Sequence, residues 1–208
     1  MVVPLGLRLA PLNGPHAVAV LRVARHAQPI GALGAIVSFF LPRGSAAAGL
    51  AAPWLVVCLI AGVAGLVELI EARSLHPSHL LPAAALGLLS VGGAWLVASR
   101  GGIGLGFTEP IPELTAVHFH YAGFAAVMMS ALTVKALASA STRTRWIGAG
   151  AGLLIVLGTP LTAAGIATGA AALTIIGPVL LATGVLTTSA LTAFVVAPAL
   201  RGRARWPL

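Results

Sequence analysis

The sequence predicts an all-α, polytopic transmembrane helical bundle of about six spans, on three observations. The chain of 208 residues is 59% hydrophobic and only 8% charged, where a soluble domain carries roughly 25% charged residues. Apolar runs follow one another from residue 27 to residue 200, most of them long enough to cross ~30 Å of hydrocarbon. The basic residues fall between those runs in an alternating pattern, as topology requires. Such a chain makes one bundle and leaves no room for a second soluble domain of ordinary size.

Residues 1–26 hold Pro4, Pro11, Pro15, Arg8, Arg22 and Arg25, and read as an interfacial segment rather than a span. The first span is residues 27–41, short and extendable back toward Ala17. A cleaved signal peptide is the alternative there, but Arg43 lies just past the run and the charge pattern works with the segment retained. Further spans are expected at residues 47–70, 80–99, 112–138, 146–167 and 171–200, followed by a basic tail, 201–208. With six spans Arg8, Arg22, Arg25, Arg73, Lys135, Arg143, Arg145, Arg201, Arg203 and Arg205 share one side, and Arg43 and Arg100 the other. The positive-inside rule then puts both termini and the tail in the cytoplasm of a multi-pass cell-membrane protein.

The net charge of +8 is therefore read as topology. No basic patch is interleaved with aromatics as a nucleic-acid binder needs, and membrane lipids are the expected surroundings. Gly62 and Gly65, the pair Gly148 and Gly152, and the pair Gly165 and Gly169 have the spacing of close helix contacts. Pro160, Pro178 and Pro198 are expected to kink or end helices. Residues 101–106, GGIGLG, lack a preceding strand and a following Lys-Ser/Thr, so they form a turn and not a nucleotide loop. Cys58, the one cysteine, is expected as a small buried filler.

The chemistry concentrates in a few places. There is no aspartate, and the only acids are Glu68, Glu71, Glu109 and Glu113. In so apolar a chain each ionisable group is a functional-site hypothesis. Residues 108–124, TEPIPELTAVHFHYAGF, place two of these glutamates beside His118, His120 and Tyr121. On a regular helix Glu113, His120, Phe124, Ala131 and Lys135 share one face with Tyr121 and Met128 at its edge, while His118 points more than about 120° away. Glu113, His120 and Tyr121 can thus share a cavity, and His118 packs on a neighbour or meets a backbone carbonyl.

Glu68 and Glu71, three apart, share a second face. Burial and like charge would favour a neutral carboxylic acid there, the form a proton donor needs; the alternative leaves Glu71 and Arg73 solvated at the membrane edge. The two clusters are expected about 15 Å apart along the bundle axis, so one small centre does not easily contain both: either a long hydrophobic cavity connects them, or one cluster is structural, or the span edges differ. The histidine pairs His76/His79 and His118/His120 raise a zinc or iron site. Pro77 breaks the first pair, the second diverges on a helix, and there is no HExxH, so neither a metal nor a cofactor is assigned.

The segment VHFHYAGF, residues 117–124, resembles the signature of the YndJ-like membrane protein family, and the apolar multi-span layout agrees over most of the chain. That resemblance names relatives without naming a reaction. In size, span number and membrane-embedded acids the chain is also similar to the small integral-membrane terpene cyclases of bacterial indole-terpenoid pathways, although no diagnostic motif aligns. That similarity implies a metal-independent enzyme that starts carbocation cyclisation of a prenylated lipophilic substrate by protonation, with a glutamate as acid. Glu68 or Glu113 would then be the acid and His120 or Tyr121 the final base. Trp54, Trp95, Phe119, Phe124 and His118 would bind substrate, the aromatic rings favouring cations by about 0.5–2 kcal/mol each. Two other classes stay open: a small proton- or ion-coupled transporter, and a non-catalytic membrane protein in which His118 and His120 are structural.

Overall fold

The computed structural model describes residues 2–203, with side chains through Leu200. The helices are α1 (Val2–Leu9), α2 (Pro15–Ser38), α3 (Ser45–Ala72), α4 (Pro77–Gly101), α5 (Ile111–Ser139), α6 (Thr142–Thr168) and α7 (Ala171–Leu200). Five of them, α3 to α7, are long and apolar enough to cross a membrane. Large apolar side chains such as Leu59, Leu66, Leu157, Leu186 and Phe194 point outward, a contiguous greasy exterior that a soluble protein does not carry. The chain is a membrane protein built as a helical bundle.

The expected first span, residues 27–41, takes a different form. No helix boundary falls near residue 27: α2 runs unbroken from Pro15 to Ser38, 24 residues or about 36 Å. Arg22, Arg25, His16 and His26 lie within it, so its mean hydropathy falls below that of the five. It nevertheless packs antiparallel along α3. A Cβ at Gly31 would meet Pro53 O at 3.1 Å and one at Gly34 would strike Leu50 O at 2.5 Å.

The N-terminal segment is also helical. Helix α1 packs into the bundle with Val3 and Leu7 buried, and a Cβ at Gly6 would meet the Phe124 ring at 2.6 Å. Residues 1–26, expected as one interfacial segment, divide between α1, with one face buried and one exposed, and the first half of α2. Arg25 ties α2 back to α1, its Nε donating to Leu7 O at 2.8 Å and Nη2 to Arg8 O at 3.3 Å. The expected tail, 201–208, lies outside the described side chains.

Small residues set the antiparallel pairing of neighbours. Gly65 of α3 faces Ala83 O of α4, 2.8 Å from where a Cβ would sit, and Gly184 of α7 faces Ala151 O of α6 at 2.6 Å. Gly148 and Gly152 meet side chains of Leu137, Leu81 and Ser130. Gly169 makes no contact of this kind; its φ of +67° ends α6 as a left-handed cap. Pro160 and Pro178 sit inside unbroken helices. Before Pro198 the helix widens to a π turn over Thr192–Val196, where the proline lacks the N–H that a regular turn would use. A longer π segment, Phe119–Ala126 in α5, has no proline to account for it.

Candidate functional site

Each of the four glutamates is engaged, and they divide between the two ends of α2. At its N-terminus Glu68 Oε2 accepts from Asn13 N at 3.0 Å and Gly14 N at 2.9 Å. Glu71 accepts from His16 N at 3.2 Å and Ala17 N at 3.0 Å, and also meets the His16 ring. His79 Nδ1 lies 2.7 Å from Glu68 Oε1. Two carboxylates from the last turn of α3 thus cap the unpaired amides at the start of α2 and meet the positive end of its dipole. The expectation of Glu68 as a proton donor meets this geometry badly, because its Oε2 faces only N–H donors. Glu71, for which a solvated place at the membrane edge was the alternative, is part-exposed and hydrogen-bonded at once.

The other end of α2 is held by the opposite charge. Arg100 of α4 is buried, and its Nη2 donates to Ser38 O at 2.8 Å and Leu41 O at 2.7 Å. Its guanidinium lies 4.8 Å from the Phe39 ring centroid. Nearby, Arg43 bridges Glu113 at 3.0 Å and Glu109 at 3.6 Å, and Ser99 Oγ donates to Glu109 Oε1 at 2.6 Å.

Glu113, His120 and Tyr121 line one cavity of about 440 Å³ between α2 and α5. Trp54 and Leu96 line it from α3 and α4, Gln28 from α2 and Phe39 just past its end, and Val2 and Pro4 from α1. Tyr121, Val117 and Ile36 beside it are exposed, so it opens to the outside of the bundle between α2 and α5. Glu68 is not part of it. Glu68 and Trp54 are about 21 Å apart along α3 at ~1.5 Å per residue, and the buried side chains of Val57, Cys58, Ala61 and Ala64 lie between. The two polar clusters do not share a chamber.

His120 is fixed through both ring nitrogens. Trp54 Nε1–H donates to its Nε2 at 3.0 Å, and its Nδ1 lies 2.7 Å from Ala116 O. An indole only donates and a carbonyl only accepts, so the imidazole is neutral with its hydrogen on Nδ1. The rings of Trp54 and His120 stack, 5.9 Å apart and 17° from parallel. A Cβ at Gly92 of α4 would come 2.7 Å from His120 Nδ1, so the glycine makes room for the ring. Trp54→Phe keeps the ring packing but strands His120 Nε2. The expected cost is about 1–2 kcal/mol, to be read as a lower melting temperature, with Gly92→Ala behaving similarly.

His118 turns the other way, its Nε2 donating to Thr159 O of α6 at 3.0 Å. It lines a separate cavity of about 240 Å³. Trp95 and Phe119 line a third, of about 210 Å³. Phe124, expected on the cavity face, is fully buried against α1. It packs on Gly6 of α1, the helix whose first residues line the cavity, so it faces the same helix as that cavity without forming part of its wall. Lys135, about 33 Å from Glu113 along the helix at ~1.5 Å per residue, lines a different cavity. In VHFHYAGF, then, two histidines tie α5 to α3 and to α6, two phenylalanines fill the interior, and Tyr121 faces outward.

Sequence reasoning missed the part of α1 and Gln28 in the cavity wall, and the capping roles of Glu71 and Arg100. Arg43 had a signal: it is one of two cations assigned to the side that holds Glu109 and Glu113. Among the described residues no three His, Cys, Asp or Glu side chains come together as a metal site. No curated protein and no solved structure matches this chain. A family model described as YndJ-like protein matches residues 1–206, and the chain belongs to the YndJ-like protein family.

Proposed function

We propose that this protein is a cell-membrane enzyme that draws a prenylated lipophilic small molecule sideways from the bilayer into the α2–α5 groove and cyclises it by protonation. One observation carries the reading: the cavity of about 440 Å³ has a mostly apolar wall that includes a carboxyl, an imidazole and a phenol, namely Glu113, His120 and Tyr121. Glu113 is the one acid of the chain in that wall. In the step proposed, Glu113 gives its proton to an alkene or epoxide, the resulting cation closes the ring, and loss of a proton from the final cation restores Glu113 directly or through Tyr121. The acid form requires Arg43 to move wholly onto Glu109, which it already reaches at 3.6 Å. His120, with both nitrogens engaged, is a positioning residue that holds Trp54 as the cavity floor. A transmembrane proton relay finds less support, because buried apolar side chains separate the Glu68 and His120 clusters.

The test is product analysis with membranes supplied with a prenylated aromatic or its epoxide. A cyclised isomer is expected from the wild type. Glu113→Gln should cut its yield at least about 100-fold, in line with losing an acid catalyst, and Glu68→Gln less than about 3-fold per folded molecule. Full turnover in Glu113→Gln would refute the acid assignment. Absence of any product, together with no quenching of tryptophan fluorescence by an added prenylated aromatic, would refute the reading itself.

A further inference from the structure

A second cavity, of about 340 Å³, lies at the end of the bundle where α4 and α6 begin. Lys135 and Arg145 line it together with Asn13, His76, Ser78 and Thr142, and Val134, Ala149 and Trp146 form apolar wall. Neither cation has an acidic partner among the described residues. None is left to supply one: the four acids are committed to His79, His16 and Arg43, and to the amides of α2. The first turn of α6 adds the positive end of a 27-residue helix. A cavity with two unneutralised cations, hydroxyl donors and no carboxylate attracts an anion from outside the chain. Its place argues for an amphiphile. It sits at the helix ends, where headgroups lie, and Trp146 at its rim is exposed, as aromatic anchors are at a membrane interface.

We infer that the cavity between α4, α5 and α6 is a binding site for the phosphate headgroup of an anionic membrane lipid, held by Lys135 and Arg145. It is distinct from the α2–α5 groove and independent of what that groove does.

The experiment uses the full chain in detergent, titrated with short-chain phosphatidylglycerol, with phosphatidylcholine, or with inorganic phosphate, and read by native mass spectrometry and melting temperature. Phosphatidylglycerol is expected to bind and stabilise the wild type, with affinity at least about 10-fold weaker in the double variant Lys135→Gln/Arg145→Gln. The charge-conserving pair Lys135→Arg/Arg145→Lys should retain binding, and Arg73→Gln, an exposed cation elsewhere, should leave it unchanged. Both cations are exposed, so the variants are expected to fold. Inorganic phosphate stabilising as strongly as the lipid, with the same dependence on Lys135 and Arg145, would keep the anion site but overturn the lipid as its occupant. Equal lipid binding by the wild type and the Gln/Gln variant, or an equal loss in Arg73→Gln, would overturn the site.

Discussion

Glu68→Ala is expected to destabilise the bundle by about 3 kcal/mol, the range for removing one partner of a buried, hydrogen-bonded charge. The side chain is buried and accepts from two backbone amides while His79 binds its other oxygen. Alanine leaves all three without a partner and uncovers the start of α2. For a chain of this size that corresponds to a fall of roughly 6–12 °C in melting temperature, measurable in detergent by tryptophan fluorescence. Glu68→Gln keeps one acceptor oxygen but turns an amide N–H₂ toward existing donors, and should lie between alanine and wild type. The outcome separates two roles. A wild-type melting temperature in Glu68→Ala, combined with lost turnover, would discard the capping role and restore Glu68 as a proton donor.

Gly177→Val is expected to cost about 3 kcal/mol by forcing α6 and α7 apart. A Cβ there would lie 2.8 Å from Leu161 C and 2.8 Å from Thr162 Cα. These are backbone atoms of a neighbouring helix and cannot swing aside as a side chain would. Overpacking of this kind typically costs 1–3 kcal/mol, and more where the backbone must shift. Gly150→Val is the control, since a Cβ at Gly150 meets nothing within 4 Å. A denaturation series should show a large loss for the first and little change for the second. Equal effects would mean that valine's helix propensity, not the close approach of the two backbones, sets the cost.

The spans from α3 onward were legible because each is a long apolar run between sharp polar breaks. The third expected span, 80–99, is observed as Pro77–Gly101, and the fifth, 146–167, as Thr142–Thr168. The difference at each end is a capping turn, which hydropathy does not register. Helix α2 was misread for the opposite reason. Its N-terminal half looks too polar to belong to the bundle, and the groups that neutralise it lie far away in sequence: Glu68 meets Asn13 across 55 positions. No local pattern announces such a pairing.

In the candidate site, Glu113, His120 and Tyr121 were legible together because positions seven and eight apart return to the same helical face. Phe124, expected among the substrate-binding rings, is buried against α1 instead, a contact made by a segment far away in sequence. Arg43 closing on Glu113 across 70 positions is likewise a product of how α2 and α5 converge.

Because α2 is tethered by Glu68 and Glu71 at one end and by Arg100 at the other, it settles only after α3 and α4 have emerged from the ribosome. As the chain is synthesised, the partners that hold both ends of this early helix are made after it, so its final docking is expected to be late, to be checked by protease protection of stalled nascent chains. A nascent chain stopped before residue 68 would leave α2 outside the bundle and open to proteases.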